Sequence, residues 1–224
     1  MSGEVKSVFP DPATADENGI VAFSRGITCG LLQDAYRHGI FPWPFGEGRA
    51  IPWCAPRMRG VLMLEEFHVP SSFVREMRKL DFTCRVDTCF GEVIRACASA
   101  VRPEGPGTWI TEEVIRTYCE FHRLGYAHSF ETFDASGSLA GGLYGVAVGR
   151  IFCGESMFYR VSGASKFAFV RLAAFLRERG AVLIDTQMVT NLTGAFGARE
   201  IPSARYMELL ARYGGGPSVL FPPR

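Results

Sequence analysis

The run AHSFETFDASGSLAGGLYGVAVGRIFCGESMF, residues 127–158, contains three apolar segments of strand length separated by two turns. The DASG turn at 134–137 and the Gly149–Arg150 pair divide it at short intervals, so the segments are expected to form an antiparallel meander. Glycines at 141, 142, 145 and 154 suit close approach of neighbouring backbones.

Downstream, SGASKFAFVRLAAFLRERG (162–180) has the pattern of an amphipathic helix capped near Ser162 or Ser165 and closed by Gly180. It leads into AVLIDTQ (181–187), a nearly continuous apolar run of the kind that forms a buried strand. Strand, helix and strand in that order predict a βαβ-like crossover joined to the meander, and so the α+β class.

Upstream, TEEVIRTYCEFHRLG (111–125) predicts a helix. Thr111 caps it, Glu112 and Glu113 suit its positive end, and Val114, Ile115, Tyr118, Phe121 and Leu124 form its apolar stripe. GVLMLEEFHV (60–69) reads as a strand, and SSFVREMRKL (71–80) as a helix begun by a serine cap and bearing Arg75, Arg78 and Lys79. LLQDAYRHG (31–39) is a short helix that runs into a loop broken by prolines and glycines between Pro42 and Pro56. Two units are expected: a small N-terminal α/β unit over 1–59 and a larger one over 60–224.

The chain has 224 residues, 47% hydrophobic and 21% charged, with net charge +1. That composition excludes global disorder and any overall basic field, so a nucleic-acid partner would have to meet a local patch. Seven dispersed cysteines without a CxxC pair fit reduced thiols rather than a disulfide framework or a zinc site. The N-terminus carries acids and prolines, and no apolar run approaches the roughly 20 residues of a membrane span, which points to a cytoplasmic protein.

Three motifs then coincide: AYRHGIFPW (35–43), GTWITEEV (107–114), and GGLYGVAVGRIFCGESMF (141–158) followed by ASK and LIDTQ. With the closing GAREIPSARY (197–206), they resemble the leucyl/phenylalanyl-tRNA-protein transferase family. The resemblance spans about Leu31 to Tyr206, and its strength lies in motif order and spacing.

The resemblance implies a catalytic domain with the fold of the GCN5-related N-acetyltransferases. It also implies transfer of Leu, Phe or Met from aminoacyl-tRNA to proteins with an N-terminal Arg or Lys, marking them for degradation. The donor ester is already activated, so the chemistry calls for alignment, proton removal from the amine and oxyanion stabilisation, and for no metal or redox cofactor. No membrane or DNA partner is expected.

By the same resemblance, Asp185 and Gln187 lie at the reaction centre, with Asp185 orienting or deprotonating the amine. Glu155 helps hold the acceptor's basic N-terminal residue, and Glu155 and Asp185 together answer its two positive groups. Taken alone, the residues offer a blander role for Asp185 as the cap of a following helix. The pocket for the transferred side chain matches Leu143, Phe152, Met157, Leu172 and Ile184. The aromatics placed near the 3'-terminal adenosine are Tyr36, Trp43, Trp109 and Tyr118. Arg75, Arg78 and Lys79 match a basic cluster for acceptor-stem phosphates.

The chain departs from the family pattern in four places. A basic position is Ser71, and VAFSRGIT (21–28) lacks a glycine-glycine-aspartate run. After Gln187, where the family carries asparagine then histidine, this chain reads Met188 to Leu192, with Asn191 a candidate displaced substitute; Ala195 replaces a serine. A CoA-dependent acyltransferase is the main competing reading, but Arg160–Ser165 only approximates the pyrophosphate loop such enzymes use.

Overall fold

The computed structural model describes residues 7–43, 50–100, 108–216 and 218–222. Strands β1 (Ile20–Ser24), β2 (Phe41–Pro42) and β3 (Ile51–Cys54) form a small antiparallel sheet in the order β1-β3-β2, accompanied by helix α1 (Cys29–Arg37). Thr28 caps α1 by accepting from the Leu31 N–H, and the helix buries Leu32, Ala35 and Tyr36.

The second sheet has seven strands in the order β10-β4-β9-β8-β7-β6-β5. In chain order these are β4 (Met58–Met63), β5 (Thr83–Val86), β6 (Ala127–Phe133), β7 (Leu139–Val148), β8 (Ile151–Tyr159), β9 (Leu183–Gln187) and β10 (Arg199–Pro202). The expected meander is β6-β7-β8, and its first turn is fixed by Asp134, whose carboxylate accepts from the Ser136 and Ser138 N–H groups. The expected crossover is α5 (Ala164–Glu178), which carries the chain from β8 to a parallel β9. The chain is therefore α+β, with one parallel pair inside an antiparallel sheet.

Two apolar clusters cover the two faces of this sheet. Helices α3 (Phe90–Ser99), α4 (Glu112–Arg123) and α7 (Ser203–Tyr213), together with α1, pack on the face of Val61, Val146 and Cys153. Helix α5 covers the face of Leu62, Leu143, Phe152 and Ile184. The cluster on the first face also includes Leu32, Tyr36 and Trp53, so the N-terminal sheet shares one core with α3 and α4.

Local details correct the reading in three places. Helix α2 (Ser71–Met77) has Pro70, not a serine, as its cap residue, and so has no side-chain cap. Helix α5 starts after Gly163 in the left-handed region, so neither Ser162 nor Ser165 caps it. Leu124 follows α4 and is 56% exposed rather than part of the stripe. Thr111 caps α4 as expected, accepting from the Val114 N–H.

Candidate active site

The β8–β9 ladder pairs only Ile151–Cys153 with Leu183–Asp185. Beyond that point the strands carry one extra residue each. On β8 the pairing with β7 passes from Ser156 to Gly154 and leaves Glu155 as a bulge. On β9 the pairing with β4 passes from Asp185 to Gln187 and leaves Thr186 over. Bulges bend a strand and re-aim side chains. The consequence shows in burial, because Gly154 to Met157 are all partly exposed in the middle of an otherwise buried strand.

Gln187 spans this opening. Its Nε2 donates to Glu155 Oε1 at 2.9 Å. Its backbone sits at φ 61°, a conformation uncommon for a residue with a side chain. The Met188 N–H closes onto the Thr186 carbonyl at 2.6 Å, giving the rare form of the three-residue turn. Gly60 makes the turn possible, since a β-carbon there would lie 2.6 Å from the Met188 carbonyl carbon.

Asp185 holds the turn from beneath. Its Oδ1 accepts from the Gln187 N–H and from Arg59 Nε, both at 2.9 Å. Its Oδ2 accepts from Arg59 Nη2 at 2.7 Å and from the Tyr206 hydroxyl at 2.8 Å. These fill the roughly four lone-pair directions of a carboxylate, and Asp185 is wholly buried. The expectation that it deprotonates the amine is thus corrected: it has no free acceptor site and no open path. Its counter-ion also removes it as a partner for a cationic acceptor, and it caps no helix.

Arg59, absent from the sequence reading, is 2% exposed and lies between the rings of Phe41 and Tyr206, 4.5 and 4.6 Å from their centroids. Burial works against its charge, and the Asp185 carboxylate more than offsets that, so it holds its proton more firmly than a free arginine.

Glu155 behaves differently. Burial pushes its carboxyl up to about 8, with Asp185 adding to the rise, while Tyr36, Arg59 and Tyr118 oppose it. The acid therefore holds its proton into the neutral range. The Tyr118 hydroxyl donates to Glu155 Oε2 at 3.4 Å, and the Tyr36 and Tyr118 hydroxyls lie 2.6 Å apart. Burial, then the neighbouring Glu155, raises both phenols well above their usual range, so both remain protonated.

This corrects the role given to Tyr36 and Tyr118, which are 2% and 0% exposed. Their rings pack on Phe121 and Tyr144 within the core and offer no face to an adenine. Trp43 and Trp109 are partly exposed and nearly parallel, with centroids 6.4 Å apart and planes 15° apart. Leu143, Phe152, Leu172 and Ile184 share one cluster with Met157 packed against it, on the face of the sheet opposite Glu155. Those four are sealed, and only Met157 reaches the opening. Arg75, Arg78 and Lys79 are exposed on and just after α2. Asn191 is exposed at the start of α6 (Asn191–Ala195), outside the site, where Thr190 and Thr193 form a capping box.

The Gln187 amide and the Glu155 acid thus face each other across a split in a mixed sheet. The family model of leucyl/phenylalanyl-tRNA protein transferase matches residues 61–211, and that of its N-terminal domain matches 25–57. The chain is 47% identical to a leucyl/phenylalanyl-tRNA–protein transferase of Pseudomonas fluorescens, over 92% of this chain and 90% of that one. It is 46% identical to the protein so named in Anaeromyxobacter dehalogenans, over 91% and 87%. The chain belongs to the leucyl/phenylalanyl-tRNA protein transferase family. Among solved structures, the C-terminal domain of a putative lysylphosphatidylglycerol synthetase from Agrobacterium fabrum aligns with 87% of this chain and 73% of its own, at 12% identity and TM-score 0.47. At that level the likeness assigns neither fold nor activity.

Proposed function

We propose that the protein moves leucine, phenylalanine or methionine from aminoacyl-tRNA to the N-terminal Arg or Lys of acceptor proteins in the cytoplasm, marking them for degradation. The observation that carries the reading is the Gln187–Glu155 contact across the split between β8 and β9, in a chain of this family.

The donor's ester carbonyl lies at the split. Its side chain meets Met157 at the opening, backed by the sealed apolar cluster of Leu143, Phe152, Leu172 and Ile184. The terminal adenine stacks at Trp43 and Trp109, which are partly exposed. Arg75, Arg78 and Lys79 meet backbone phosphates without reading sequence. Gln187 and Glu155 face the acceptor's N-terminal residue, and Asp185 acts by fixing the backbone of Gln187.

We further infer two units, 1–59 and 60–224, the second built on a GCN5-related N-acetyltransferase scaffold. The separate three-stranded sheet supports the division. The scaffold assignment is supported by one splayed parallel pair within antiparallel strands, with a bulge beside it.

The test mixes purified protein with radiolabelled leucyl- or phenylalanyl-tRNA and a peptide beginning with Arg or Lys. Label enters the peptide; a peptide beginning with Glu stays unlabelled. No transfer to the Arg peptide overturns the reading.

A further inference from the structure

We propose that Glu155 is the proton shuttle of the transfer reaction, carrying a proton from the attacking amine to the departing 3'-oxygen of the tRNA, with Tyr118 and Tyr36 holding its second oxygen. This rests on the transferase reading above and gives the bulged acid a role other than anchoring a basic side chain.

The geometry carries the proposal. Among the described residues two carboxylates lie near the split, and Asp185 is excluded because Arg59, Tyr206 and the Gln187 N–H occupy its oxygens. Gln187 orients but accepts no proton at neutral pH. Glu155 stands where the sheet opens, placed there by the β8 bulge. Gln187 holds its Oε1 and Tyr118 its Oε2, so the plane of the acid is fixed. The titratable and charged groups that bear on it are Tyr36 on α1, Arg59 on β4, Tyr118 on α4, Cys153 on β8 and Asp185 on β9. Burial, with these groups acting on it in both directions, gives an acid whose proton affinity near 8 lies close to that of an α-ammonium group, about 7.7 to 8.0, the condition for exchange in both directions.

The protons balance. The cycle starts from the ionised form of Glu155, whose carboxylate takes one proton from the acceptor's ammonium, freeing its lone pair. The nitrogen then forms a bond to the ester carbonyl carbon, and the carbonyl π pair moves onto oxygen. When that pair returns, the C–O3' bond breaks and O3' takes the proton from Glu155. The new amide nitrogen loses a second proton to the regenerated carboxylate, which passes it to solvent. Ammonium and ester become amide, alcohol and one released proton.

Single-turnover transfer from phenylalanyl-tRNA to an Arg-initiated peptide, measured from pH 6 to 9, tests the assignment in wild type, Glu155→Gln and Tyr118→Phe. General acid–base help is worth about 100- to 10,000-fold. Glu155→Gln is expected to lower the maximal rate at least about 100-fold while the peptide KM stays within about threefold. Tyr118→Phe is expected to keep most of the maximal rate and displace the midpoint of its pH profile. If Glu155→Gln keeps the wild-type rate and raises the peptide KM tenfold or more, Glu155 is an anchor and the shuttle is overturned. An unmoved midpoint in Tyr118→Phe overturns the part given to the tyrosines. Absence of transfer by the wild type itself sinks the transferase reading, and the shuttle with it.

Discussion

Arg59 grips both oxygens of Asp185 through Nε and Nη2, at 2.9 and 2.7 Å, and its Nη1 donates to the Gly39 carbonyl at 3.2 Å. One buried guanidinium thus ties β9 to the segment that follows α1. A buried pair of this kind is costly to break, because removing one partner leaves an uncompensated charge. Arg59→Met is expected to lose about 3 to 5 kcal/mol of stability by urea denaturation. Replacing both charges, as in Arg59→Met with Asp185→Leu, is expected to restore most of that loss. Transfer activity is not restored in the double variant, since the Gln187 N–H has lost its acceptor. Recovered activity would show that the pair serves stability alone.

Gln187 is held at φ 61°, where a residue with a β-carbon gives up roughly 1 to 2 kcal/mol. Gln187→Gly relieves that strain while removing the amide that meets Glu155. Its unfolding free energy is expected to equal or exceed that of the wild type, with transfer reduced at least tenfold. Gly60→Ala tests the same turn from the other side, because its new methyl meets the Met188 backbone. A Gln187→Gly protein clearly less stable than wild type would contradict a strained turn.

The meander, the α5 crossover and the α4 cap were legible because each rests on local signals: turn residues, helical period and a threonine at a helix start. Residues 81–100 were not, and they form β5 and α3; Thr83–Val86 sits on a sheet edge with half-exposed positions that blur the alternation. That Glu155, Asp185 and Gln187 belong together was legible through motif resemblance, and the structure joins them by hydrogen bonds. Arg59 and Tyr206 escaped because nothing local marks an arginine or tyrosine whose partner lies 126 or 21 residues away. A signal was present in hindsight: a strand-end Asp so deeply buried needs a cation. Motif position placed Tyr36 and Tyr118 near the adenosine, whereas the core claims their rings. Sequence gives no measure of which aromatic keeps an open face.

Trp43 and Trp109 carry the proposed adenine contact, and base stacking is worth roughly 1 to 3 kcal/mol. Trp109→Ala is expected to weaken binding of an aminoacylated RNA hairpin by about fivefold to 150-fold, read by titration of the hairpin. Tyr36→Phe, which changes only a buried hydroxyl, leaves that affinity within about twofold. Equal losses in both variants would return the tyrosines to the binding surface.

Arg75, Arg78 and Lys79 test the phosphate contact through salt. Each neutralised phosphate contributes about 0.7 to 0.9 to the slope of log K against log salt. Replacing all three by alanine is expected to reduce the slope for the hairpin by about 2, with similar losses for hairpins of different stem sequence. An unchanged slope would make them a solvated helix face.

Glu155 also fixes a pH dependence of stability. Its folded value, about 8, lies above the roughly 4.3 of an unfolded glutamate. The protonated acid therefore favours the folded state fully below about pH 4.3, and that advantage drains away as pH rises toward 8, above which it is gone. Glu155→Gln stays neutral throughout and escapes the loss. The variant and wild type are expected to unfold at similar urea concentrations near pH 4.5, with the variant increasingly more stable up to pH 8 and the difference constant beyond. A difference that does not vary with pH would mean the carboxyl titrates in its ordinary range, and the proton affinity assigned to it in the split sheet would be wrong.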